Sequence, residues 1–343
     1  FFLLVLPVAI HLRWFPGIHD AEGGPYGTFF FGLAFFLLVA LCWEASARAA
    51  LYVGMMVLTW GDSLAGLIGK PFGRRRFRIG RSTKSLEGTG AMFVGSFAAT
   101  AATLGVLGFA PFTELLGISL LVAVIATAVE MVTPGALDNL TVPLAAAFVI
   151  HLLASSGPEG DKAFAIGVGL SLAFALLALA ANFLEFTGAV TSVILGSIVF
   201  GIGGWAWAVP ILIFFLSSSF LGIFTKKGKR GLEEIWAKKG PRDSVQALAN
   251  GGLAAAIVLF YYFLPDVRLY YVYLGALAAV NADTWSTEIG VLSKSIPISA
   301  TSGKPVPKGL SGGVTALGFA GALVGSLAIV LAGLLFEGRF GIG

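Results

Sequence analysis

The chain has 343 residues, of which 57% are hydrophobic and only 12% charged, with a mean hydropathy of +0.91. Soluble domains carry about 25% charged residues, so this balance excludes a water-soluble enzyme and predicts an all-α, polytopic transmembrane helical bundle. The net charge of +4 does not call for nucleic acid, because the basic residues fall in short loops between apolar runs, and the single cysteine, Cys42, excludes a disulfide framework or a cysteine-built zinc site.

A helix needs roughly 20 apolar residues to cross about 30 Å of hydrocarbon, and about twelve runs approach that length. They lie near 1–10, 27–45, 49–69, 90–110, 115–132, 140–155, 162–182, 187–203, 206–224, 245–264, 268–292 and 312–335. The chain opens on FFLLVLP without Met, so its N-terminus, and the first span with it, is expected to be incomplete. The most basic loop is RRRFRIGRSTK, Arg74 to Lys84, and the excess of Lys and Arg on cytoplasmic loops places it in the cytoplasm. Counting spans from there puts TPGALDN, NFLEF, TKKGKRGLEEIWAKKGPRD and SKSIPISATSGKPVPKG on the same side. The opposite loops SSGPEGDK, GGWAW and LPDV are short and lack arginine. An integral protein of a prokaryotic inner or plasma membrane, with its polar motifs facing the cytoplasm, is the expectation.

One polar motif occurs twice. GDSLAGLIG (Gly61 to Gly69) leads to KSLEG (Lys84 to Gly88), and ADTWSTEIG (Ala282 to Gly290) leads to KGLSG (Lys308 to Gly312). Asp62 aligns with Asp283 and Gly69 with Gly290 at a shift of 221; Lys84 aligns with Lys308 and Gly88 with Gly312 at a shift of 224. An even number of spans separates the copies, so two parallel-related halves are predicted, which counts against an inverted-repeat transporter. An ionisable residue at membrane depth costs several kcal/mol unless paired or hydrated, which makes Asp62 a functional candidate by default. The bland alternative is a packing acid neutralised by Lys70. The glycines allow close helix packing and would let phosphate oxygens approach a helix N-terminus, with the lysine as a point charge. Arg74, Arg75, Arg76, Arg78 and Arg81 read as cytoplasmic anchors more than as ligands.

Between two apolar spans, EMVTPGALDNLTVPL (Glu130 to Leu144) sets Glu130, Asp138 and Asn139 about a Pro-Gly break. Mg²⁺ takes one or two carboxylates plus phosphates and water; an ordinary interhelical turn with Asp138 as N-cap is the plainer alternative. Further on, PRDSVQALANGG carries Arg242, Gln246 and Asn250, the last two on one helical face. His11, His19 and His151 are scattered without metal-ligand spacing.

With these motifs in hand, residues 52–145 (GDSLAGLIGKPFG, KSLEGTGAMFVGS, DNLTVPL) resemble the dolichol and phytol kinase family of CTP-dependent polyprenol kinases. Residues 183–335 (EFTGAV, LSSSFLG, RDSVQALANGG, NADTWSTEIG, KGLSGGVTALG) resemble phytyl-phosphate kinase-like membrane proteins. The resemblance implies a fused enzyme, with a polyprenol kinase-like domain at 1–157 and a prenyl-phosphate kinase-like domain at 158–343. It would phosphorylate a prenyl alcohol to the monophosphate and then to the diphosphate, with CTP (or UTP or ATP) as donor and Mg²⁺ as cofactor.

In the first site so implied, Asp62, Asp138, Glu130 and Asn139 hold Mg²⁺ on the nucleotide, while Lys84, Lys70, Ser85 and Gly88 meet the phosphates. In the second, Asp283 and Glu288 are the metal ligands, Lys308, Ser311 and Gly312 line the phosphates, and Arg242, Gln246 and Asn250 take nucleotide or the substrate monophosphate. The expected partners are the lipid bilayer, prenyl alcohol, prenyl phosphate and nucleotide, with no nucleic acid. A CDP-lipid-forming cytidylyltransferase and a polyprenyl-phosphate flippase are the alternatives.

Overall fold

The computed structural model describes residues 8, 11–12, 26–44, 47–80, 82–225, 240–310 and 312–336. Most of the expected first span, His19, the basic loop 226–239 and Ser311 lie outside the described residues. The chain divides into two compact units, Phe1–Ala165 and Ile166–Gly343.

In the first unit, α1 (Gly27–Cys42) packs on α2 (Arg48–Phe72), which packs on α3 (Leu86–Val106), which in turn packs on α4 (Phe112–Val132). The turn Val57–Asp62 within α2 is π-helical, a local widening that is frequent at functional sites. Between α2 and α3 stands a hairpin of β1 (Arg76–Ile79) and β2 (Ser82–Ser85), paired antiparallel with Phe77 across from Lys84, and Gly80 supplies the positive φ (56°) of its turn. Ser85 ends the hairpin and caps α3, its Oγ accepting from Gly88 N at 3.1 Å. α4 stops at Val132, two residues before Pro134, and a short 3₁₀ turn (Gly135–Leu137) leads into α5 (Asp138–Ala180). α5 leaves helical geometry at Gly157 (φ 69, ψ 173), just before Pro158.

The second unit holds the end of α5, then α6 (Phe186–Gly201), α7 (Trp205–Thr225), α8 (Ser244–Phe263), α9 (Val267–Gly290), the short strands β3 (Ile298–Ser299) and β4 (Gly313–Val314), and α10 (Ala316–Leu334). Its core is aromatic: Trp207 meets Tyr273 at 4.8 Å and Tyr270 at 5.1 Å between ring centroids. The Tyr270 hydroxyl lies 3.1 Å from the carbonyls of both Ala206 and Gly333, so a buried polar atom is satisfied where α7, α9 and α10 meet.

The all-helical expectation holds apart from the two small hairpins, but about twelve spans is not the number obtained. Among the described residues seven helices are long and apolar enough to cross a membrane. The run Gly135–Ala180 counts once among the seven, but helical geometry breaks at Gly157, so the spans expected at 140–155 and 162–182 are two helices meeting at a kink. α1 and α6 have 16 residues each, or roughly 24 Å of helix. α9 is long, but its last third, Asn281 to Glu288, is too polar to count.

Candidate functional site

The first unit gathers a single polar cleft of about 750 Å³, lined by residues of α1, α2, the hairpin, α3, α4 and the start of α5. Every residue expected at the first site lines it: Asp62, Lys70, Lys84, Ser85, Gly88, Glu130, Asp138 and Asn139. Lys84 stands at the centre. Its Nζ donates to Glu130 Oε1 at 2.7 Å and to Asp138 Oδ2 at 3.2 Å, and also to the Glu130 backbone carbonyl. The three side chains are 11%, 8% and 15% exposed, so this is a largely buried cluster.

Local structure explains the convergence. β2 carries Lys84 toward the α4–α5 turn, and Ser82 Oγ ties hairpin to turn by accepting from Gly135 N at 2.7 Å. Gly135 has φ 58°, the left-handed conformation glycine adopts without strain, so the Pro-Gly break is what turns Glu130 and Asp138 onto one lysine. Asp62 arrives from α2 within electrostatic range of Asp138, Glu130, Lys84 and Lys70. Close packing brings it there: a methyl built on Gly61 would sit 2.5 Å from Ser96 Oγ, and one on Gly88 only 2.9 Å from the Ala65 carbonyl.

The Lys84 ammonium, expected at the phosphates, lines the cleft with two carboxylates as partners. The structure revises the metal set. Among the described residues no group of three or more His, Cys, Asp or Glu could hold an ion as a ready-made cage, because Lys84 sits between Glu130 and Asp138. What remains fits a cation brought in with phosphates. Asp62, Glu130 and Asp138 face Lys70, Arg76 and Lys84 around the cleft, and Glu130 Oε2 is buried without a hydrogen-bond partner. Mg²⁺ bound through one or two carboxylates plus substrate oxygens suits that arrangement. Sequence reasoning missed Thr28, Thr83 and Thr89, which also line the cleft, and gave too little weight to Arg76. Arg76 reaches Gly73 O at 3.2 Å from Nε, near the end of α2. Only the neighbourhood of Lys84 in the hairpin could have signalled Ser82 and Thr83.

The second unit is arranged differently. Its motifs do converge: Arg242 donates to Ser218 and Ser219 Oγ, each at 2.9 Å, Trp285 Nε1 donates to Ser217 Oγ at 3.2 Å, and Thr225 donates to Glu288. Arg242 is held by its backbone, its N donating to Phe183 O at 3.1 Å and its carbonyl accepting from Glu185 N at 2.9 Å. Gly188 makes this possible, since a methyl there would lie 2.1 Å from the Arg242 carbonyl. Burial lowers the Arg242 guanidinium from its ordinary value, with the Glu288 charge acting the other way. Asn250 and Arg242 line an apolar cavity of about 330 Å³; Gln246 does not, and its backbone N donates instead to the cap Asp243 at 2.9 Å.

Asp283 is exposed and lines neither cavity. Lys308 donates to the Ser293 carbonyl within the β3–β4 loop, and Gly312 (φ 79°) belongs to that loop rather than to a helix start. The alignment of Lys84 with Lys308 and of Gly88 with Gly312 is therefore corrected. The hydroxyl that caps α10 is Thr315, accepting from Gly318 N at 3.0 Å, as Ser85 does for Gly88. Gly88 corresponds to Gly318 and Gly95 to Gly325, both at a shift of 230, and the residue before the cap, in the place of Lys84, is Val314. Ser311 lies outside the described residues.

The chain is 32% identical to Protein PGR of Arabidopsis thaliana over 167 residues, covering 45% of this chain and 58% of that one. It is 33% identical to a phytol kinase of Synechocystis sp. over 135 residues, covering 39% of this chain and 57% of that one. An uncharacterized membrane protein of Methanocaldococcus jannaschii is 31% identical over 158 residues, covering 45% of this chain and 63% of that one. The chain thus spans less than two thirds of the length of these relatives. No solved structure matches it. The family model for integral membrane protein DUF92 matches residues 169–340, half of the chain and almost all of the second unit. With that match, and with seven helices among the described residues long and apolar enough to cross a membrane, the chain belongs to the DUF92 family of integral membrane proteins.

Proposed function

We propose that the first-unit cleft transfers a phosphoryl group from a nucleoside triphosphate, CTP by the resemblance, to the hydroxyl of a prenyl alcohol. The observation that carries this is the Lys84 cluster: three carboxylates and a lysine at a polar cleft between apolar helices, beside the capped N-terminus of α3. A relative named phytol kinase supports the acceptor class.

Phosphoryl transfer demands positioning and charge neutralisation more than covalent chemistry. Asp62 and Asp138 would hold Mg²⁺ on the nucleotide phosphates, where it supplies neutralisation of the charge developing between them. Lys84, anchored by Glu130 and Asp138, offers its charge along the same wall, and Ser85, Gly88 and Thr89 present small groups that let phosphate oxygens come close. The prenyl hydroxyl oxygen bonds to the terminal phosphorus as the bond to the leaving nucleoside diphosphate breaks. The hydroxyl proton passes to water at the cleft mouth. The apolar surfaces of the surrounding helices take the prenyl tail.

A second step, from monophosphate to diphosphate, is favoured by one observation in the second unit: a half-buried arginine, Arg242, beside an apolar cavity. In that version Arg242 and Asn250 meet the monophosphate. Asp283 and Lys308 are not part of it, since neither lies at that cavity.

Purified protein supplied with phytol or geranylgeraniol, Mg²⁺ and CTP, followed by mass spectrometry of lipids and nucleotides, tests both steps. Monophosphate together with CDP is the expected result, and its loss in Asp62→Asn assigns it to the cleft. CMP and pyrophosphate would instead identify a cytidylyltransferase, and no phosphorylated lipid with any nucleotide would end the kinase proposal.

A further inference from the structure

The apolar cavity of the second unit has two unlike ends. At one, Arg242 lines the cavity while bonded to Ser218 and Ser219 behind it, with its guanidinium carbon 5.1 Å from the centre of the Phe215 ring; Asn250 is a further polar lining residue. At the other, Phe200 and Trp205 meet with ring centroids 4.5 Å apart. The walls between are hydrocarbon: Leu170, Phe174 and Leu177 from α5, Leu195 and Val199 from α6, and Leu212 from α7. Trp205 and Phe215 are ten residues apart on α7, so the cavity runs roughly 15 Å from aromatic end to arginine.

From this we infer that the cavity binds one prenyl monophosphate and measures its chain, with Arg242 holding the phosphate and the Phe200–Trp205 pair setting the length limit. Charge complementarity selects the occupant. Among the described residues no carboxylate lies within ion-pair distance of Arg242; its side-chain hydrogen-bond partners are two neutral hydroxyls, and the Glu288 charge acts on it only from longer range. A planar guanidinium is suited to bidentate phosphate binding, and Ser219 beside it can donate to a further oxygen, while the Ser218 hydroxyl is given to the Phe214 carbonyl at 2.6 Å. A narrow cavity of about 330 Å³ takes one chain, not the two of a bilayer phospholipid. Its length matches an extended farnesyl-sized chain, so a longer tail has to leave the cavity past the aromatic pair. The inference borrows only the phosphate head from the proposed second step. Binding is read without turnover, so the two can fail separately.

The test uses the full chain in detergent, free of nucleotide and divalent cation, with geranyl, farnesyl and geranylgeranyl monophosphates titrated by native mass spectrometry. Affinity should rise about tenfold or more from geranyl to farnesyl, as additional apolar surface is buried, and then level off at geranylgeranyl. Leu212→Trp should move the plateau down to geranyl, and Trp205→Ala should let geranylgeranyl gain over farnesyl. Arg242→Gln should weaken every monophosphate at least tenfold while leaving farnesol binding unchanged. Should Trp205→Ala fail to fold, the wild-type series and Leu212→Trp still decide. Affinity that climbs evenly with length in every variant would overturn the length limit. Equal binding of palmitate, or displacement by dioleoyl phosphatidic acid at the same concentration, would overturn the assigned occupant.

Discussion

The helix crossings α2/α3 and α9/α10 are built alike and equipped differently. In both, a glycine near the end of the first helix faces a glycine in the first turn of the next. A methyl on Gly69 would lie 3.1 Å from Gly88 Cα, and one on Gly290 would lie 3.4 Å from Gly318 Cα. In both, a short hairpin precedes a hydroxyl cap, Ser85 or Thr315. Yet the residue before the cap is Lys84 in one and Val314 in the other, and among the described residues the first crossing alone is met by two further acids flanking a Pro-Gly turn. Close packing in a membrane needs only small residues at the contact, so the same crossing can persist while the charges around it change. An equivalent acid, Asp283, is therefore no guarantee of equivalent chemistry.

The largest expected effect lies at Lys84. Replacing it by alanine leaves Glu130 and Asp138 buried together without their cation, which should destabilise the protein by about 3–5 kcal/mol. It should also cut monophosphate formation at least about 100-fold. Lys308→Ala, which removes only a bond to the Ser293 carbonyl, should cost about 1 kcal/mol by thermal unfolding in detergent. Equal losses at the two lysines would break the contrast. Next comes the acid pair: Asp62→Asn should lower monophosphate formation about 100-fold with the fold kept, while Asp283→Asn leaves that first product within about twofold of wild type, as befits an exposed side chain that does not line the cleft.

Packing sharpens the comparison further. Gly88→Ala brings a methyl to 2.9 Å from the Ala65 carbonyl, against 3.2 Å from the Ser286 carbonyl for Gly318→Ala. The first should cost about 2–3 kcal/mol and the second less, about 1 kcal/mol, read as a difference in melting temperature. The smallest effects belong to the caps. Ser85→Ala and Thr315→Ala should each cost about 1 kcal/mol, equal within error, because both oxygens accept the same backbone bond.

Much of the first cleft was legible. Asp62, Lys84, Glu130, Asp138 and Asn139 are polar residues in apolar surroundings, where each needs a partner, and the Pro-Gly break marked the turn that brings them together. The second site was read less well because repeat spacing was matched on letters. KGLSG resembles KSLEG, but its glycine falls in a loop and the structural counterpart is the less conspicuous TALG, Thr315 to Gly318. Loop length between a strand and a cap leaves no periodic signal to correct such a slip. The π-helical turn ending at Asp62 left none either; it includes Gly61, where the helix packs close to Ser96.

Sequence by itself determined that this chain is an integral membrane helical protein and which polar residues stand out in it, because hydrocarbon penalises every unpaired charge and unsatisfied backbone group. The tertiary structure decided their partners. It placed Lys84 between two acids, left Asp283 and Lys308 out of the lining of the second unit's cavity, and set Arg242 in the lining of that hydrocarbon-walled cavity. These outcomes depend on how helices far apart in the chain approach one another, which turns on glycine contacts and loop lengths rather than on hydropathy.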